Sequence, residues 1–595
     1  MKVKRLSALL VTVLILLVFG CACKPYEEYE NDESVRITVS DGAWYYPVQN
    51  TYSVRRGENV SVRLIFLGNG YPEGCSYPNA KIERVGDHIY DLTLYDVNYP
   101  AFIKVFENDG SDAIRYERNG GEFAEGVAIK GYLPGKITQN HLRTNTDLGE
   151  SLSREGYILT GWNTKEDGSG AHIGLGSRVT VQRDGCLRLY AEWEKTLDES
   201  ALSYELTDGK LYLTGYEKAF PDSFALPEQV DGQTVYGVRR GFFKDGAVDR
   251  LAFPRSLSVV EAGAFEDVKI GRLFLFDELS EISDGSFLRC SIESVHINAA
   301  GAPRYQKEME ISYFADAIDR LILLQDSKKL VFFSGCSFAY GLNSETVQKA
   351  VGEEFEVVNI GIIGGTNAGF QLDIISRFMG KDDVLIHAPE VASRFQFMER
   401  NDAESRMFII TEGNYDLLSL VDISEIEGFF DVFASYCNNR RQMPETSYDD
   451  FSGAYNRYGD IITLRGYTGE DKAFSEQRDY TYFPSFVNER SSALLDKYYQ
   501  KIRDQGALVA LTYSPVNRHG LPEEDLEERV WERLEDNIIR YFAGRDVIFL
   551  STPADYLLEG RYFYDTDYHL NDEGVKIRTE RLLNDMKAHR IYGRK

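Results

Sequence analysis

The sequence predicts a multidomain protein, with all-β modules at the N-terminus, then a short solenoid, then an α/β domain with a parallel sheet. Three features support this assignment. Strand-like pieces separated by glycine and asparagine turns occupy residues 35–110. Apolar residues then recur at a fixed step between 238 and 297. After 326, apolar strand-like segments alternate with helical stretches, which is typical of a parallel sheet covered by helices on both faces.

Composition narrows the class of protein. A chain of 595 residues is long enough for several domains. Its 43% hydrophobic and 27% charged residues indicate folded protein. A net charge of −28 argues against nucleic acid as a partner and against binding of anionic lipid by charge. The seven cysteines show no paired spacing, so the sequence predicts neither a disulfide framework nor a zinc site.

The N-terminus carries an export signal. A basic segment, Met1–Arg5, precedes an apolar run, Leu6–Gly20, that is short for a membrane span. The run ends in Val-Phe-Gly-Cys21, which resembles a bacterial lipobox. That resemblance implies a lipoprotein signal peptide at 1–20 and lipid on Cys21, hence a membrane anchor on the extracellular face of a Gram-positive-type cell. An ordinary secretory peptide or an uncleaved anchor is the alternative, and residues 21–34 are predicted to form an acidic tether.

Two β modules are expected next. Residues 35–110 alternate in short strands and predict a β-sandwich-like domain without recognisable chemistry. Residues 111–196 resemble an internalin B-type repeat through Gly156-Tyr-Ile-Leu-Thr-Gly-Trp162 and Leu187-Arg-Leu-Tyr-Ala-Glu-Trp193. The resemblance implies a small β-grasp-like fold. We expect its two tryptophans to anchor the core rather than to bind a ligand.

Residues 197–300 contain an internal repeat. Gly-x-Phe recurs at Phe243, Phe265 and Phe287, which are 22 residues apart. A fixed period of this length predicts stacked units that unfold separately from the following domain. The pattern resembles BspA-like leucine-rich repeats. This implies a rigid spacer or a modest surface for glycan or host protein.

A helical linker, 301–325, is predicted to lead into the C-terminal domain at 326–595. The segment 391–500 is longer than an ordinary crossover and is interpreted as an insertion on the substrate side. The predicted strands of the domain are Lys329–Phe333, Glu356–Ile360, Asp383–His387, Ala507–Tyr513 and Val547–Leu550, and the helices include Leu521–Phe542 and Asp572–Lys587.

Candidate catalytic residues lie at the two ends of this domain. Ser337 follows the first strand at a sharp turn, where it is either a nucleophile with an exposed hydroxyl or the capping serine of an ordinary turn. His569 lies just before Asn571 and Asp572, either of which is predicted to cap the last helix. A carboxylate upstream, Asp565 or Asp567, would orient the imidazole as it takes the serine proton.

The order of these blocks resembles the SGNH/GDSL hydrolase family, with Asn359-Ile-Gly361-Ile-Ile-Gly364 as the second block. The resemblance implies a flavodoxin-like, three-layer parallel-sheet domain. It also implies Ser337 as nucleophile, His569 as base, and the N–H groups of Ser337 and Gly364 in the oxyanion hole. Asp565 is the favoured acid, and no metal or organic cofactor is needed.

Two departures from the family pattern concern the same site. The third block of the family, Gly-x-Asn-Asp, is replaced by Ala388-Pro389-Glu390, which lacks the asparagine that donates to the oxyanion. Loss of one such donor costs about 10²–10³ in rate. The usual position of the acid, three residues before the histidine, is Thr566.

Two classes of function are therefore expected. The first is a surface-anchored serine esterase or O-acyltransferase that acts on acylated envelope or extracellular glycans. The second is a lipid-anchored adhesion protein with a catalytically inactive SGNH-like domain. His387, at the end of the third strand, either faces the same crevice or is a structural histidine.

Overall fold

A computed structural model of the chain describes most of its residues. The described ranges are 34–42, 45–66, 70–86, 88–108, 114–123, 152–177, 187–301, 303–305, 309–361, 364–443, 455–462, 483–564, 566 and 568–593. The predicted signal peptide, the tether up to residue 33, Cys21, Asp565 and Asp567 lie outside them. The described chain is multidomain, with several β-sheets followed by a parallel sheet and its helices.

The N-terminal region consists of two main sheets around one apolar core, to which Ile37, Leu64 and Leu92 contribute. The first sheet has the strand order Thr51–Arg55, Ser34–Val39, Ala101–Ile103. The second has the order Tyr45–Pro47, Glu58–Phe66, Ile89–Val97, Ala80–Gly86. Tyr71–Cys75 pairs separately with Val105–Asn108.

The second β region is a four-stranded sheet in which the tryptophans differ in environment. Trp162 is fully buried, whereas Trp193 is partly buried and donates its Nε1–H to Arg118 O at 3.2 Å. Only Trp162 is therefore a fully enclosed core residue. The strand order is Ile114–Glu117, Leu187–Lys195, Tyr157–Asn163, His172–Ile173, and Glu122–Phe123 pairs with Leu152–Ser153.

The third region places the recurring phenylalanines in register. Parallel pairing aligns Phe243 with Phe265 and Phe265 with Phe287, so chain segments 22 residues apart lie side by side. The Phe265 and Phe287 rings stack at 5.4 Å between centroids. The strands of this sheet are Ser223–Ala225, Phe243–Ala252, Phe265–Phe276, Phe287–Leu288 and Ser291–Asn298. The strands of a neighbouring sheet are Leu202–Thr207, Lys210–Tyr216, Gln229–Val230, Gln233–Val238 and Val259–Val260.

The C-terminal region is organised on a five-stranded, wholly parallel sheet with strand order β2-β1-β3-β4-β5. Each strand forms at or near its predicted position. The strands are β1 (Lys329–Ser334), β2 (Glu356–Gly361), β3 (Val384–Ala388), β4 (Leu508–Leu511) and β5 (Ile548–Phe549). A short separate sheet pairs Val516–Asn517 with Leu557–Leu558.

Helices cover both faces of this sheet. Successive side chains of a strand point to opposite faces of the sheet, and in β1 both sets are apolar. Val331 and Phe333 belong to one buried cluster, and Leu330 and Phe332 belong to the other. The helices are α1 (Met309–Leu323), α2 (Cys336–Gly341), α3 (Ser344–Val351), α4 (Ala368–Ser376), α5 (Ser405–Ile410), α6 (Phe429–Arg441), α7 (Glu489–Asp504), α8 (Glu523–Glu527), α9 (Val530–Phe542) and α10 (Asp572–Ala588).

One apolar core continues from the repeat region into the C-terminal region. It includes Leu273 of the repeats, Phe314 and Leu321 of α1, and Val331 of β1. Helix α1, predicted as a linker, is therefore packed into the body of the molecule. Among the residues described, no helix is both long enough and apolar enough to cross a membrane.

Candidate active site

The candidate site begins where β1 ends and α2 starts with no intervening loop. Two features of β2 hold α2 in place. Asn359 donates its Nδ2–H to Phe338 O at 3.0 Å and to Asp460 Oδ1 at 2.9 Å. A Cβ at Gly361 would lie 2.3 Å from Ala339 N, so only glycine permits this close approach. The Asn-x-Gly motif thus has a structural explanation, because it fastens the helix that carries Cys336 and Ser337.

His569 lies against the start of α2, and its neighbour is a thiol. Its Nε2 is 3.0 Å from Cys336 Sγ. The imidazole stacks on the Tyr340 ring at 3.6 Å with an interplanar angle of 10°. Thr566 Oγ1 accepts the backbone N–H of His569 at 3.0 Å, so the residue at the usual position of the acid shapes the turn. Asn571 caps α10 as predicted, because its Oδ1 accepts Gly574 N–H at 3.0 Å.

The Ser337 hydroxyl is hydrogen-bonded to a different residue, Ser514. The Ser337 side chain is fully buried, and its Oγ is 2.8 Å from Ser514 Oγ. Ser514 donates to Ala388 O at 2.9 Å, which leaves its oxygen to accept the Ser337 hydroxyl proton. The structure therefore brings Cys336 to His569, while the Ser337 hydroxyl is hydrogen-bonded to the turn after β4. Its role as nucleophile stays a prediction.

A carboxylate lies against the backbone of Ser337 and Gly364. Glu390 is buried, and its Oε1 accepts the Ser337 N–H at 3.2 Å and lies 3.6 Å from Cys336 Sγ. A Cβ at Gly364 would lie 1.6 Å from Glu390 Oε2, so the glycine leaves room for the carboxylate. Glu390 thus lies against the two residues whose N–H groups were predicted to stabilise the oxyanion.

Arg578 of α10 supplies positive charge beneath the site. Its guanidinium donates to Ser337 O and lies 4.4 Å from the Phe338 ring centroid. Complete burial lowers the pKa of Arg578 to about 10, and electrostatic interactions with Tyr556 and Glu390 limit this lowering. At neutral pH this side chain stays charged, and it offsets part of the charge of Glu390.

The other residues predicted for the site are two aspartates and one histidine. Asp565 and Asp567, the alternative acids, lie outside the described residues, and so does any contact they make with His569. His387 is a structural histidine. Its Nδ1 is 2.6 Å from Tyr499 Oη and its Nε2 is 3.4 Å from Gln396 Oε1. Burial lowers its pKa to about 3, which keeps the ring neutral.

The sequence led us to interpret Cys336, beside Ser337, as a small buried apolar residue rather than a second nucleophile, and it suggested no role in the site for Glu390. The signal for Glu390 was present, because it follows β3, and the strand order β2-β1-β3 brings the ends of β1 and β3 together. In open parallel sheets, sites form at the carboxyl edge where the direction of strand order reverses. For Cys336 the signal was its position at the first residue of α2, directly after Gly335.

Comparisons of this chain with protein-family models and with curated proteins find no match.

Proposed function

We propose that the C-terminal region is a hydrolase or acyltransferase of the SGNH type, acting on ester-linked acyl groups, and that Cys336 is its nucleophile. The observation that carries this proposal is the distance of 3.0 Å between Cys336 Sγ and His569 Nε2. A thiol hydrogen-bonded to an imidazole is activated for attack because the imidazole accepts its proton.

The reaction runs through a thioester. Cys336 Sγ attacks the ester carbonyl carbon while His569 Nε2 takes the thiol proton, and the carbonyl electron pair moves to oxygen. The tetrahedral intermediate then collapses, and the leaving alkoxide takes the proton from His569. Water or a sugar hydroxyl attacks the thioester, with His569 again accepting a proton, and the thiol is restored.

Substrate and location follow from the rest of the sequence. Lipidation at Cys21 and the acidic tether favour catalysis at the outer surface of a cell membrane, where acylated polysaccharides carry such esters. The repeats between 238 and 297 serve as a short leucine-rich solenoid, and their parallel register at a step of 22 residues supports this assignment. On this proposal, they hold the β modules against the catalytic region and offer a surface for glycan or host protein.

A second candidate function, a binding protein with an inactive SGNH-like region, is favoured by one observation. The Glu390 carboxylate accepts the Ser337 N–H that an oxyanion would need. A negative group there opposes the developing charge of the intermediate. In this case the protein would bind its glycan partner without turnover.

Residue-specific labelling tests the proposal on the purified protein. Iodoacetamide detects an activated thiol and a fluorophosphonate detects an activated serine, while hydrolysis of an aryl acetate reports turnover. We expect Cys336→Ala and His569→Ala each to lower kcat/KM by about 10³-fold or more, with a double variant little worse than either. Ser337→Ala should stay within about tenfold of wild type, since that hydroxyl bonds to Ser514. Cys290→Ala, a partly buried thiol elsewhere, is the matched control.

Each outcome decides between the alternatives. Fluorophosphonate labelling lost in Ser337→Ala, together with loss of turnover, would make Ser337 the nucleophile, as the sequence predicts. A folded wild-type protein that neither labels nor turns over would leave the binding function as the better account.

A further inference from the structure

Three potential metal ligands meet where three regions of the chain join. His172 belongs to the second β region, His296 to the repeat region, and Asp416 to the C-terminal region. One ring nitrogen from each histidine and one carboxylate oxygen lie within 4.8 Å of one another. The site is separate from Cys336 and His569.

The two imidazoles contact each other at 4.8 Å between ring centroids, and each has one buried nitrogen without a hydrogen bond in the described part of the chain. His172 Nε2 and His296 Nδ1 are buried and have no hydrogen-bond partner among the described residues. The His172 side chain is 7% exposed and His296 is 8% exposed. A buried polar nitrogen without a partner is costly, so its retention at two facing positions points to a bound ligand.

The other nitrogen of each ring is hydrogen-bonded to a neighbouring side chain. His172 Nδ1 is hydrogen-bonded to Glu192 Oε2, and His296 Nε2 lies 3.2 Å from Ser294 Oγ. Metal-binding histidines commonly bond to a carboxylate or another oxygen on the far side of the ring, which fixes the tautomer and turns the free nitrogen toward the ion. His172 with Glu192 has this arrangement.

The third ligand is also oriented. Gly174 N–H donates to both carboxylate oxygens of Asp416, at 3.0 and 3.1 Å. This double contact fixes the plane of the carboxylate.

Acidic side chains outnumber basic ones around the junction. The Arg250 guanidinium is paired with Glu194 at 2.9 Å and approaches Glu192 at 3.6 Å. Arg272 also acts on His296 through its charge. With Asp416, three carboxylates accompany two guanidinium groups, a set that suits a divalent cation.

We propose that His172, His296 and Asp416 bind a divalent transition-metal ion. Zn²⁺ is the preferred ion, and water completes its coordination. Two imidazoles and a carboxylate are a donor set that zinc accepts. Zinc bonds of about 2.0–2.1 Å place tetrahedral donors about 3.4 Å apart, so binding draws the three side chains inward. The ion fastens three regions of the chain at one point. The cysteine spacing gave no sign of it, because the ligands are 124 and 120 residues apart (296−172 and 416−296).

Metal titration of the full-length protein tests the site. The protein is stripped with EDTA and titrated with Zn²⁺ by calorimetry, and with Co²⁺, whose visible absorption reports tetrahedral coordination. We expect one equivalent in wild type, and at least about a hundredfold weaker binding in His172→Gln, His296→Gln and Asp416→Asn. Zn²⁺ should raise the Tm of wild type but not of Asp416→Asn, since only a ligand bound to the folded state stabilises it.

Two further histidine variants are matched controls. His519→Gln removes an exposed imidazole that pairs with Glu559, and His569→Gln removes the imidazole beside Cys336. Both should bind Zn²⁺ as wild type does. Absence of binding in folded wild type, or binding that persists in both His296→Gln and Asp416→Asn, overturns the proposal. So does loss of binding in His569→Gln, which would place the ion at the thiol. If His296→Gln fails to fold, His172→Gln and Asp416→Asn still decide the question.

Discussion

Cys336 and Ser337 are consecutive residues with opposite surroundings, and the difference comes from helix geometry. Side chains on a helix are rotated by about 100° from one residue to the next. In the first turn of α2, this rotation turns Cys336 toward His569 and Ser337 toward Ser514. A sequence motif locates the turn but not the rotation, so the nucleophile nearest the base could not be read from the residues alone.

Glu390 leads to a prediction at the same scale. Glu390→Gln should raise kcat/KM for an aryl acetate by about tenfold or more. The change removes a negative charge beside the developing oxyanion and supplies an amide donor in its place. The expected size follows from the cost of about 10²–10³ for losing one such donor. Steady-state kinetics of the purified variant measure the effect.

Glu425→Gln is the control for this substitution. Glu425 is partly buried and pairs with Lys497, away from the thiol. The Glu425→Gln substitution should leave kcat/KM unchanged. A rate that falls in Glu390→Gln, with folding intact, would show that the carboxylate assists the reaction and that the oxyanion binds elsewhere.

At the scale of elements, apolar periodicity predicted the five parallel strands to within a few residues, but it missed a helix break. The stretch from 521 to 542 was predicted as one helix and forms two, α8 and α9. Arg529 between them has a φ of 49°, in the left-handed region. No glycine or proline marks that position, so local sequence carries no signal of the break, which depends on packing.

The parallel register of the repeat region gives the second prediction. Phe265 is fully buried, and its ring stacks with those of Phe253 and Phe287, at 5.8 and 5.4 Å. Phe265→Ala should lower the free energy of unfolding by about 3–5 kcal/mol, the usual range for removing a buried aromatic side chain. Denaturant unfolding followed by circular dichroism measures the change.

Phe102→Ala provides the comparison, because Phe102 is 44% exposed. It should cost less than about 1 kcal/mol, as most substitutions of exposed residues do. Equal costs at the two positions would contradict the burial of Phe265.

At the scale of the whole molecule, a buried charge network joins the repeats to the C-terminal region. Arg440 is 1% exposed, and its Nε lies 2.6 Å from Glu412 Oε1 and 3.3 Å from Asp277 Oδ2. Asp277 comes from the repeat region, whereas the other two residues belong to the C-terminal region. The sequence alone predicts separate unfolding of the repeats, but this network and the continuous core lead us to expect one shared transition.

The third prediction tests this coupling. Arg440→Met should lower the free energy of unfolding by about 3–5 kcal/mol, because it leaves two buried carboxylates without their cation. The fluorescence of Trp162, in the second β region, and of Trp531, in the C-terminal region, reports unfolding on the two sides of the repeats. Each signal is isolated by replacing the other three tryptophans of the chain with phenylalanine. Their transitions should coincide in wild type and shift together in the variant.

Arg441→Met is the neighbouring control, since Arg441 is exposed and its guanidinium donates to Glu278 O at 2.7 Å, also in an exposed setting. It should shift neither transition by more than about 0.5 kcal/mol. Two separate transitions in wild type would show that the repeats do not couple the second β region and the C-terminal region into one folding unit.

The first described strand and the last helix lie side by side, and this has a consequence for where the protein works. Arg36 Nη1 is 3.3 Å from Asp572 Oδ2, three residues after His569. If Cys21 is held in the membrane, a fully stretched chain from there to Ser34 reaches about 45 Å. The thiol would then operate in a thin layer beside the lipid instead of at the end of a long stalk. Its substrates would be polymers still close to the leaflet, encountered before they extend outward into the wall.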